Sequence, residues 1–370
     1  MILINGINSK AGGGYSILMN LLESLKDHPN KFIIISPYTN DFFKFESEHI
    51  KIIKLPKIVY SSVLMPLVYE FFLDLLVKYY KIQKIFNLGD LIINTKTRQL
   101  YLFDWSYAIY DEKYIWNNMD FISWLNRKIK LLLIKKNIKS QRLDVAAQTS
   151  VAKKRLIEKF NLDRVQIIPN AVSHQNTTQT DKNKNFELPD KVNLLYLTHY
   201  YPHKNIEILL DVAKIFKEKD LPINFVLTID SSQHKKARKL IKEIEKESLQ
   251  KYFSVLGYIK HKDVPAIYKQ TDGLIMPTYL ESFSGTYVEA MFHEKPIFTS
   301  DLDFARNLCK ESAFYFNPFD PFSIAEVIEC SFKDKDRISI NEKVILGKKR
   351  LNDFDTWSNV TSNILKLLKI

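Results

Sequence analysis

Cysteine is nearly absent from this sequence, and its scarcity excludes several classes of protein. Only Cys309 and Cys330 occur among 370 residues, which is too few for a disulfide framework and lacks the spacing of a metal site. Low-complexity segments and repeats of fixed period are absent as well. The composition, with 46% hydrophobic and 26% charged residues, indicates a globular protein of a reducing compartment, in which both thiols are expected to be buried.

Uncharged apolar runs long enough to span a membrane are also missing. Residues 1–6 have no basic start and no small-residue cleavage site, so they predict a first strand rather than a signal peptide. The most apolar stretch, residues 58–80, contains Pro66, Glu70 and Asp74, whereas a spanning helix needs about 20 apolar residues without charge. The sequence therefore predicts no transmembrane segment and a cytoplasmic location.

Positive charge is spread unevenly along the chain. Residues 1–170 contain 25 Lys and Arg against 15 Asp and Glu, an excess of 10, whereas residues 171–370 contain 29 against 27, an excess of 2. The basic half is expected to meet an anionic partner such as a phosphate-bearing lipid or a membrane surface. A lysine-rich surface without a partner is the other interpretation. No nucleic-acid-binding module is recognisable, so nucleic acid is not an expected partner.

Short apolar runs alternate with helical patterns in both halves of the chain. This alternation indicates parallel sheets covered by helices on both faces. The polar segment 173–190 predicts a linker between an N-terminal domain (1–172) and a C-terminal domain (191–353), and residues 354–370 predict a final amphipathic helix. The fold class is α/β, with two doubly wound Rossmann-like domains and a ligand expected in the cleft between them.

Strands are predicted at the short apolar runs. In the first domain they are residues 2–5, 32–36, 51–55, 91–94, 99–103, 145–148 and 166–168, and in the second domain they are residues 192–197, 223–229, 253–256, 273–276, 295–299 and 313–316.

The sharpest motif follows a buried strand in the second domain. Glu281 lies in the loop after that strand, and Ser284, Gly285 and Thr286 fall at the start of the next helix. Unpaired backbone N–H groups and the helix dipole favour a phosphate there, and glycine permits its close approach. Glu289, eight residues after Glu281, is placed to hydrogen-bond sugar or ribose hydroxyls. A helix N-cap with exposed glutamates is the alternative interpretation.

This pattern resembles the paired-glutamate motif of retaining GT-B glycosyltransferases, and glycosyltransferase family 4 (glycosyl transferases group 1) in particular. An aromatic residue, Phe283, stands two residues after the first glutamate, as in that family. The resemblance implies that Glu281 contacts the hydroxyls of the transferred sugar and that Glu289 contacts the ribose of the nucleotide. It also implies that residues 284–286 meet the phosphates, and Phe283 is counted with them as a donor-binding residue.

Two further segments match the same family. The segment 197–205 corresponds to the one that carries an Arg and, five residues later, a Lys, which both bind the diphosphate. Lys204 falls on the Lys, and a surface lysine at a helix start is its alternative interpretation. His199 replaces the Arg and is a weaker, pH-dependent cation. A structural loop histidine is the alternative for His199, and His203 is a further candidate cation. Gly257 and Tyr258 fall in the segment whose backbone amides read the nucleobase.

The N-terminal domain carries weaker signals. Gly13 and Gly14 lie in a glycine loop after the first strand, where the resemblance implies proximity to the diphosphate. The loop is neither a dinucleotide fingerprint nor a P-loop, and a plain tight turn is its alternative interpretation. Asp104 ends another strand at a point where many relatives carry a His in the sugar site. It is expected either to take that role or to leave it unfilled.

The resemblance implies a retaining glycosyltransferase in which the N-terminal domain binds the acceptor, the C-terminal domain binds the nucleotide sugar, and the helix at 354–370 crosses back to the N-terminal domain. Glu281, Lys204 and Asp104 are the expected catalytic residues, a nucleotide-diphosphate sugar is the donor, and a saccharide or lipid-linked saccharide is the acceptor. Bacterial surface polysaccharide, such as O-antigen, lipopolysaccharide or capsule, is the expected product. No metal or other cofactor is expected. A GT-B nucleotide-sugar epimerase, a catalytically silent scaffold and a membrane-surface binding protein are the alternatives.

The segment 121–143 is basic and apolar at once. It contains seven Lys and Arg and no acidic residue. If it is helical, its apolar side chains fall imperfectly on one side, as in helices that lie on anionic membranes. A domain helix with a solvated basic face is the equally weighted interpretation. Peripheral contact with the cytoplasmic face of the inner membrane is therefore expected only in the first case.

Overall fold

The computed structural model describes residues 1–10, 12–61, 63–117, 119–171, 184–333 and 338–369. The chain divides into two compact units, one formed by residues 1–173 and 354–370 and the other by residues 174–353. Most of the predicted linker, residues 173–183, lies outside the described residues.

The first unit is built on a parallel sheet with the strand order β3-β2-β1-β4-β5-β6-β7. The pairing is in register, so that Ile2 lies between Phe32 and Lys84. The strands are β1 (Ile2–Asn5), β2 (Phe32–Ile35), β3 (Ile50–Ile53), β4 (Lys84–Asn87), β5 (Arg98–Phe103), β6 (Leu143–Ala147) and β7 (Gln166–Ile167), and the helices are α1 (Gly12–Leu25), α2 (Met65–Leu67), a π-helical turn (Val68–Phe72), α3 (Leu73–Tyr79), α4 (Lys113–Trp116), α5 (Phe121–Asn137), α6 (Ser150–Phe160) and the C-terminal helix, Trp357–Leu368.

The second unit repeats the architecture with the strand order β10-β9-β8-β11-β12-β13, all parallel. Its strands are β8 (Val192–Tyr196), β9 (Ile223–Leu227), β10 (Phe253–Val255), β11 (Gly273–Met276), β12 (Ile297–Ser300) and β13 (Ala313–Phe316), and its helices are α7 (Ile208–Glu218), α8 (Lys235–Lys246), α9 (Val264–Gln270), α10 (Gly285–Phe292), α11 (Asp303–Cys309), α12 (Pro321–Lys333) and α13 (Ile338–Arg350), so that the C-terminal helix is α14. The prediction of two doubly wound parallel sheets is confirmed.

Apolar side chains at helical spacing hold the helices on these sheets. In α1, the spacing of Ile17, Leu18, Leu21 and Leu22 places all four in the core of the first unit. The last helix, α14, packs Trp357 and three aliphatic side chains of its apolar face, Val360, Ile364 and Leu368, into the same core. Residues distant in sequence therefore complete the hydrophobic core of the first unit.

The predicted strand at residues 91–94 is wrong. The strand beside β1 is β4, and residues 91–93 are buried in irregular structure. The side-chain amide of Asn87 donates a hydrogen bond to the Leu91 carbonyl oxygen at 2.9 Å, which turns the chain directly after β4. The apolar run at 91–93 thus reflects burial against the core, and burial alone does not distinguish strand from loop.

The prediction for the cysteines is half wrong. Cys309 is buried, but Cys330 is exposed. Helix α12 buries the face that carries Ile324, Ala325 and Ile328. Cys330 lies on another face of this helix and is exposed to solvent.

The apolar stretch 58–80 forms helical turns from Met65 to Tyr79, interrupted by the π-helical turn at Val68–Phe72. In the part of the chain that the structure describes, no helix combines the length and apolar composition required to cross a bilayer.

A buried polar network fixes the chain after β4. The side-chain amide of Asn5 donates to the Tyr69 hydroxyl at 3.0 Å and to Asn87 Oδ1 at 2.8 Å. Asn87 Oδ1 also accepts the Gly89 backbone N–H at 3.1 Å. Tyr69 is buried and cannot move aside, and a Cβ at position 89 would overlap its hydroxyl. Glycine is therefore a steric requirement at this turn.

We expect Gly89→Ala to lower the free energy of unfolding by about 1–3 kcal/mol, the usual range for overpacking a buried site. The matched control is Gly13→Ala, because a Cβ there meets no atom within 4 Å. Thermal denaturation of both variants measures the effect. Equal melting temperatures for Gly89→Ala and the wild type would contradict this account of the turn.

Candidate active site

The loops that carry the predicted donor-binding residues leave the same edge of the second sheet. Strands β8 and β11 are neighbours in the sheet although they are far apart in the sequence. From β8 the sheet continues to β9 and β10 on one side, and from β11 it continues to β12 and β13 on the other. Parallel doubly wound sheets bind ligands outside the carboxyl ends of strands at such a switch point. Lys204 follows β8 and Glu281 follows β11, so both stand at this position.

Lys204 and Glu281 form an ion pair at the switch point. Lys204 Nζ lies 2.6 Å from Glu281 Oε1, and the two side chains are only 14% and 11% exposed. The Tyr196 hydroxyl donates to the Lys204 backbone carbonyl oxygen at 2.7 Å, which fixes the loop below the pair. Two charges sheltered from water in this way depend on one another, because loss of either leaves the other uncompensated.

Asn205 holds together the three loops around this pair, and sequence reasoning missed it. Its side-chain amide donates to the carbonyl oxygens of Pro277 at 3.0 Å and Pro318 at 2.8 Å. These oxygens belong to the loops after β11 and β13, while Asn205 itself follows β8. The residue is buried and has a left-handed backbone, φ 54°. Asn tolerates that conformation better than most residues, which was the one available signal.

His199 and Tyr258 meet beside the switch point. Their rings stack at 5.6 Å between centroids with an interplanar angle of 19°. Gly257 has φ +73°, a conformation that favours glycine, and a Cβ there would approach Asp230 Oδ2 to 3.7 Å. Burial, and then the charge of Lys204, lower the pKa of His199 below its usual value. The structure thus brings the predicted phosphate and nucleobase segments together.

The N-terminus of α10 supplies backbone donors to the same region. Ser284 is the buried N-cap residue, and its side chain makes no capping hydrogen bond. A Cβ on Gly285 would meet no atom within 4 Å. The first turn of the helix therefore faces open space, and its unpaired N–H groups and dipole favour an anion there. Phe283 and Thr286, on either side of this turn, are half-buried.

Glu289 lies within the first two turns of α10. Part of the residue remains open to solvent, yet burial raises the pKa of its carboxyl to about 7. The nearby Tyr268 hydroxyl donates to the Thr286 carbonyl oxygen at 3.2 Å. Among the described residues, the Glu289 carboxyl has neither a hydrogen-bond partner nor an ion-pair partner. A ligand hydroxyl would therefore find an acceptor that the protein has left unused.

Asp301 and Asp303 form an Asp-x-Asp sequence, a spacing that can bind a metal ion, but the carboxylates of both residues accept hydrogen bonds from the protein. Both oxygens of Asp301 accept from Arg306, at 2.6 and 2.8 Å, and Asp303 accepts the Phe304 backbone N–H at 2.8 Å. Within the described ranges, no group of three His, Cys, Asp or Glu side chains is arranged to hold a metal ion.

The predicted site residues of the first unit, Gly13, Gly14 and Asp104, lie at the carboxyl edge of the first sheet. The predicted glycine loop is wrong in one respect, because α1 begins at Gly12 and takes Gly13 and Gly14 into its first turn. A Cβ on Gly12 or Gly13 would meet no atom within 4 Å, whereas one on Gly14 would contact Ser9 at 3.5 Å, so the helix start is open at its first two residues. Asp104 follows β5, and its Oδ1 accepts from the side-chain amide of Gln148 at 3.2 Å. Strand β4 separates β1 from β5, so the two candidates are not adjacent.

Comparison with known proteins supplies an independent line of information. Residues 177–345 match the family model of glycosyl transferases group 1. The O-antigen chain mannosyltransferase RfbU of Salmonella typhimurium is 22% identical over 245 residues, which cover 66% of this chain and 65% of the relative. An uncharacterised 41.2 kDa protein in the cps region of Klebsiella pneumoniae is 26% identical over 38% of this chain. The alignments span 65% or less of the curated relatives.

Solved structures show the same architecture along the whole chain. Sucrose-phosphate synthase from Thermosynechococcus elongatus has a TM-score of 0.76 at 17% identity and covers 100% of this chain, with 98% of its own length matched. Anabaena HepE, in complex with UDP and glucose, has a TM-score of 0.69 at 14% identity, with 100% and 99% coverage.

The fold is that of the GT-B glycosyltransferases. The match to glycosyl transferases group 1 covers residues 177–345, slightly less than half of the chain. The resemblance drawn from the paired glutamates is thereby confirmed, and assignment to family 4 is compatible with it.

The pKa of Glu289 makes a prediction about stability. Its folded-state pKa, about 7, lies above its ordinary value of 4.5. The cost of ionising it in the fold is therefore absent below pH 4.5, grows from pH 4.5 to 7, and is complete above pH 7. We expect Glu289→Gln to stabilise the protein at pH 8 by up to about 3 kcal/mol and to leave stability at pH 4.5 unchanged.

Thermal denaturation at the two pH values measures this difference. The control is Glu326→Gln, which changes an exposed glutamate of the same unit and should have little effect at either pH. Equal melting temperatures of Glu289→Gln and wild type at pH 8 would show that burial of this carboxyl carries no cost.

Proposed function

We propose that this protein transfers a sugar, with retention of anomeric configuration, from a nucleoside-diphosphate donor to a saccharide or lipid-linked saccharide acceptor. The Lys204–Glu281 pair at the switch point, beside the open N-terminus of α10, carries this proposal. The names of two relatives, an O-antigen chain mannosyltransferase and a protein of a cps region, support a role in bacterial surface polysaccharide synthesis. The UDP and glucose held by Anabaena HepE support the donor class.

In this proposal, donor binding exchanges the partners of the ion pair. Lys204 turns to the diphosphate and Glu281 to the hydroxyls of the transferred sugar. Glu289 accepts from the ribose, and the nucleobase meets Gly257 and Tyr258. The N–H groups of residues 284–286 complete the diphosphate site. These donors are in place before the reaction and stabilise charge as it develops on the leaving group.

Transfer then proceeds on one face of the sugar. The bond between the anomeric carbon and the diphosphate oxygen breaks, and a bond from the acceptor oxygen to that carbon forms on the same face. The proton of the acceptor hydroxyl passes to the departing diphosphate. Lys204 and His199 neutralise that leaving group, and Asp104 is proposed to orient the sugar or the acceptor. We propose that no metal ion takes part.

We expect one nucleoside diphosphate among UDP, GDP, ADP and dTDP to raise the melting temperature equally with and without Mg²⁺. A ligand at about 100 times its dissociation constant adds about 2.7 kcal/mol. The ligand-induced shift should be abolished in Lys204→Met and reduced in Glu289→Ala. It should persist in Lys214→Met, whose lysine is exposed on α7. Absence of a shift with all four nucleotides would remove the donor site proposed here.

We also propose that the first unit rests on an anionic membrane. Helix α5 and the neighbouring turns at Met65–Tyr79 are joined by an ion pair between Lys136 and Glu70, and both expose large apolar side chains. These side chains are Phe121, Ile122, Leu125 and Leu132 on α5, and Leu67, Phe71, Leu75 and Tyr79 on the other helix. An apolar face beside lysines is the arrangement of interfacial helices, and a lipid-linked acceptor would be presented there.

Vesicle sedimentation tests this contact. Binding to phosphatidylcholine vesicles containing phosphatidylglycerol should exceed binding to phosphatidylcholine alone and should weaken with salt. Leu125→Asp and Phe71→Asp, on the two helices, should each reduce it several-fold. The control is Phe322→Asp, an exposed aromatic residue of the second unit. Unchanged sedimentation of both helix variants would exclude this face as the membrane contact.

A further inference from the structure

Five aromatic rings form two groups beside helix α5 of the first unit. Trp105, Tyr107 and Trp116 follow one another at 6.2 and 6.0 Å between ring centroids. Trp124 and Phe121, in the first turn of α5, stack at 6.1 Å. The first group begins at the carboxyl end of β5 and is largely buried, whereas Phe121 is 72% exposed. The rings therefore lead from the carboxyl edge of the first sheet to the exposed apolar face of α5.

Two cations of α5 lie over these rings. The Cζ atom of Arg127 lies 4.5 Å from the centre of the Tyr107 ring. Lys128 Nζ lies 4.4 Å from the centre of the Trp116 ring and 5.6 Å from that of Trp124, so it connects the two groups of rings. Both cations are half-buried. A cation within about 6 Å of a ring centroid is attracted by the ring face, and this attraction does not occupy its N–H groups with an acceptor.

The charges of Arg127 and Lys128 are not compensated by the protein. The next cation along the helix, Lys130, is paired with Asp90, whose Oδ2 lies 2.6 Å from its Nζ. Arg127 donates from Nη1 to the Ser123 carbonyl oxygen at 3.2 Å, a contact within the helix that brings no negative charge. Among the described residues, no carboxylate forms an ion pair with Arg127 or Lys128. Partly buried charges without a counter-charge are expected where a ligand supplies one.

The order of chemical groups along α5 indicates the kind of anion that would fit. Phe121 and Ile122 expose apolar side chains at the start of the helix, and the two uncompensated cations follow about two turns later. The row of rings then ends at Trp105, directly after Asp104, which is proposed above to orient the sugar or the acceptor. A lipid-linked saccharide carries its groups in the same order, with an apolar chain, a phosphate and a saccharide.

We infer that Arg127 and Lys128 bind the phosphate that joins the lipid to the saccharide of the acceptor. The guanidinium offers phosphate oxygens a planar fork of N–H donors, and the ammonium adds a second charge. A phosphate held there would place the lipid chain towards the exposed apolar face and the saccharide towards Asp104. This inference rests on the proposed function, of which it specifies the acceptor.

Vesicle sedimentation tests the inference with two kinds of phosphatidylcholine vesicle of equal negative charge, one containing a polyprenyl phosphate and the other phosphatidylglycerol. The wild type should bind the polyprenyl phosphate vesicles more tightly. Arg127→Gln and Lys128→Gln should each weaken that binding on the order of tenfold and remove the preference, whereas Arg127→Lys should retain part of it. The matched control is Lys135→Gln, an exposed lysine of the same helix, which should lower binding to both vesicles slightly and equally.

The results that would overturn the inference are distinct. Equal losses in Arg127→Gln, Lys128→Gln and Lys135→Gln would show that only the total charge of α5 matters. Displacement from the vesicles by an equal concentration of inorganic phosphate would assign the two cations to free phosphate. If Arg127→Gln lowers the melting temperature, Lys128→Gln decides between these results.

Nucleotide binding separates this inference from the proposed function. The thermal shift with nucleoside diphosphate should be the same in Lys128→Gln and in the wild type. Failure of every nucleotide to bind the wild type would remove the proposed donor site, and the vesicle comparison would still decide whether the two cations bind a lipid phosphate.

Discussion

The side-chain amide of Asn205 is the contact on which the candidate site depends. Three loops leave the carboxyl edge of the second sheet from separate strands, and nothing in a parallel sheet by itself fixes such loops relative to one another. One buried amide donates to carbonyl oxygens of two loops while it belongs to the third. Because its neighbour in sequence is Lys204, the same clamp also sets where the lysine can meet Glu281.

The charged groups of the candidate site lower the stability of the fold. The Lys204–Glu281 pair is withdrawn from water, where attraction between the charges roughly offsets the cost of desolvation. Glu289, on α10, has no compensating partner among the described residues, and burial raises its pKa to about 7. Groups that weaken the fold without structural benefit are expected where a ligand supplies the missing partner. The candidate site therefore contains one unused acceptor, the Glu289 carboxyl, that a ligand could engage.

The sequence was sufficient for the architecture. Apolar alternation indicated both sheets, and the spacing of Glu281 and Glu289 led to the family whose model matches residues 177–345. Sequence patterns did not predict the local structure where a buried segment is not a strand. Residues 91–93 are apolar because they are buried in a loop, whereas β4 is short and begins and ends with the polar residues Lys84 and Asn87. Asn205 was missed because a clamp between three loops leaves no local pattern in the chain.

The central claim is that Lys204 and Glu281 hold each other until the donor separates them. Isothermal titration of Glu281→Gln with the nucleoside diphosphate, and with the corresponding nucleotide sugar, tests it most directly. Removal of the carboxylate charge frees Lys204, so the account predicts tighter binding of the bare nucleoside diphosphate. It predicts loss of the extra affinity that the sugar provides. Weaker binding of both ligands by the same factor would contradict the claim, because Glu281 would then merely support the fold of the site.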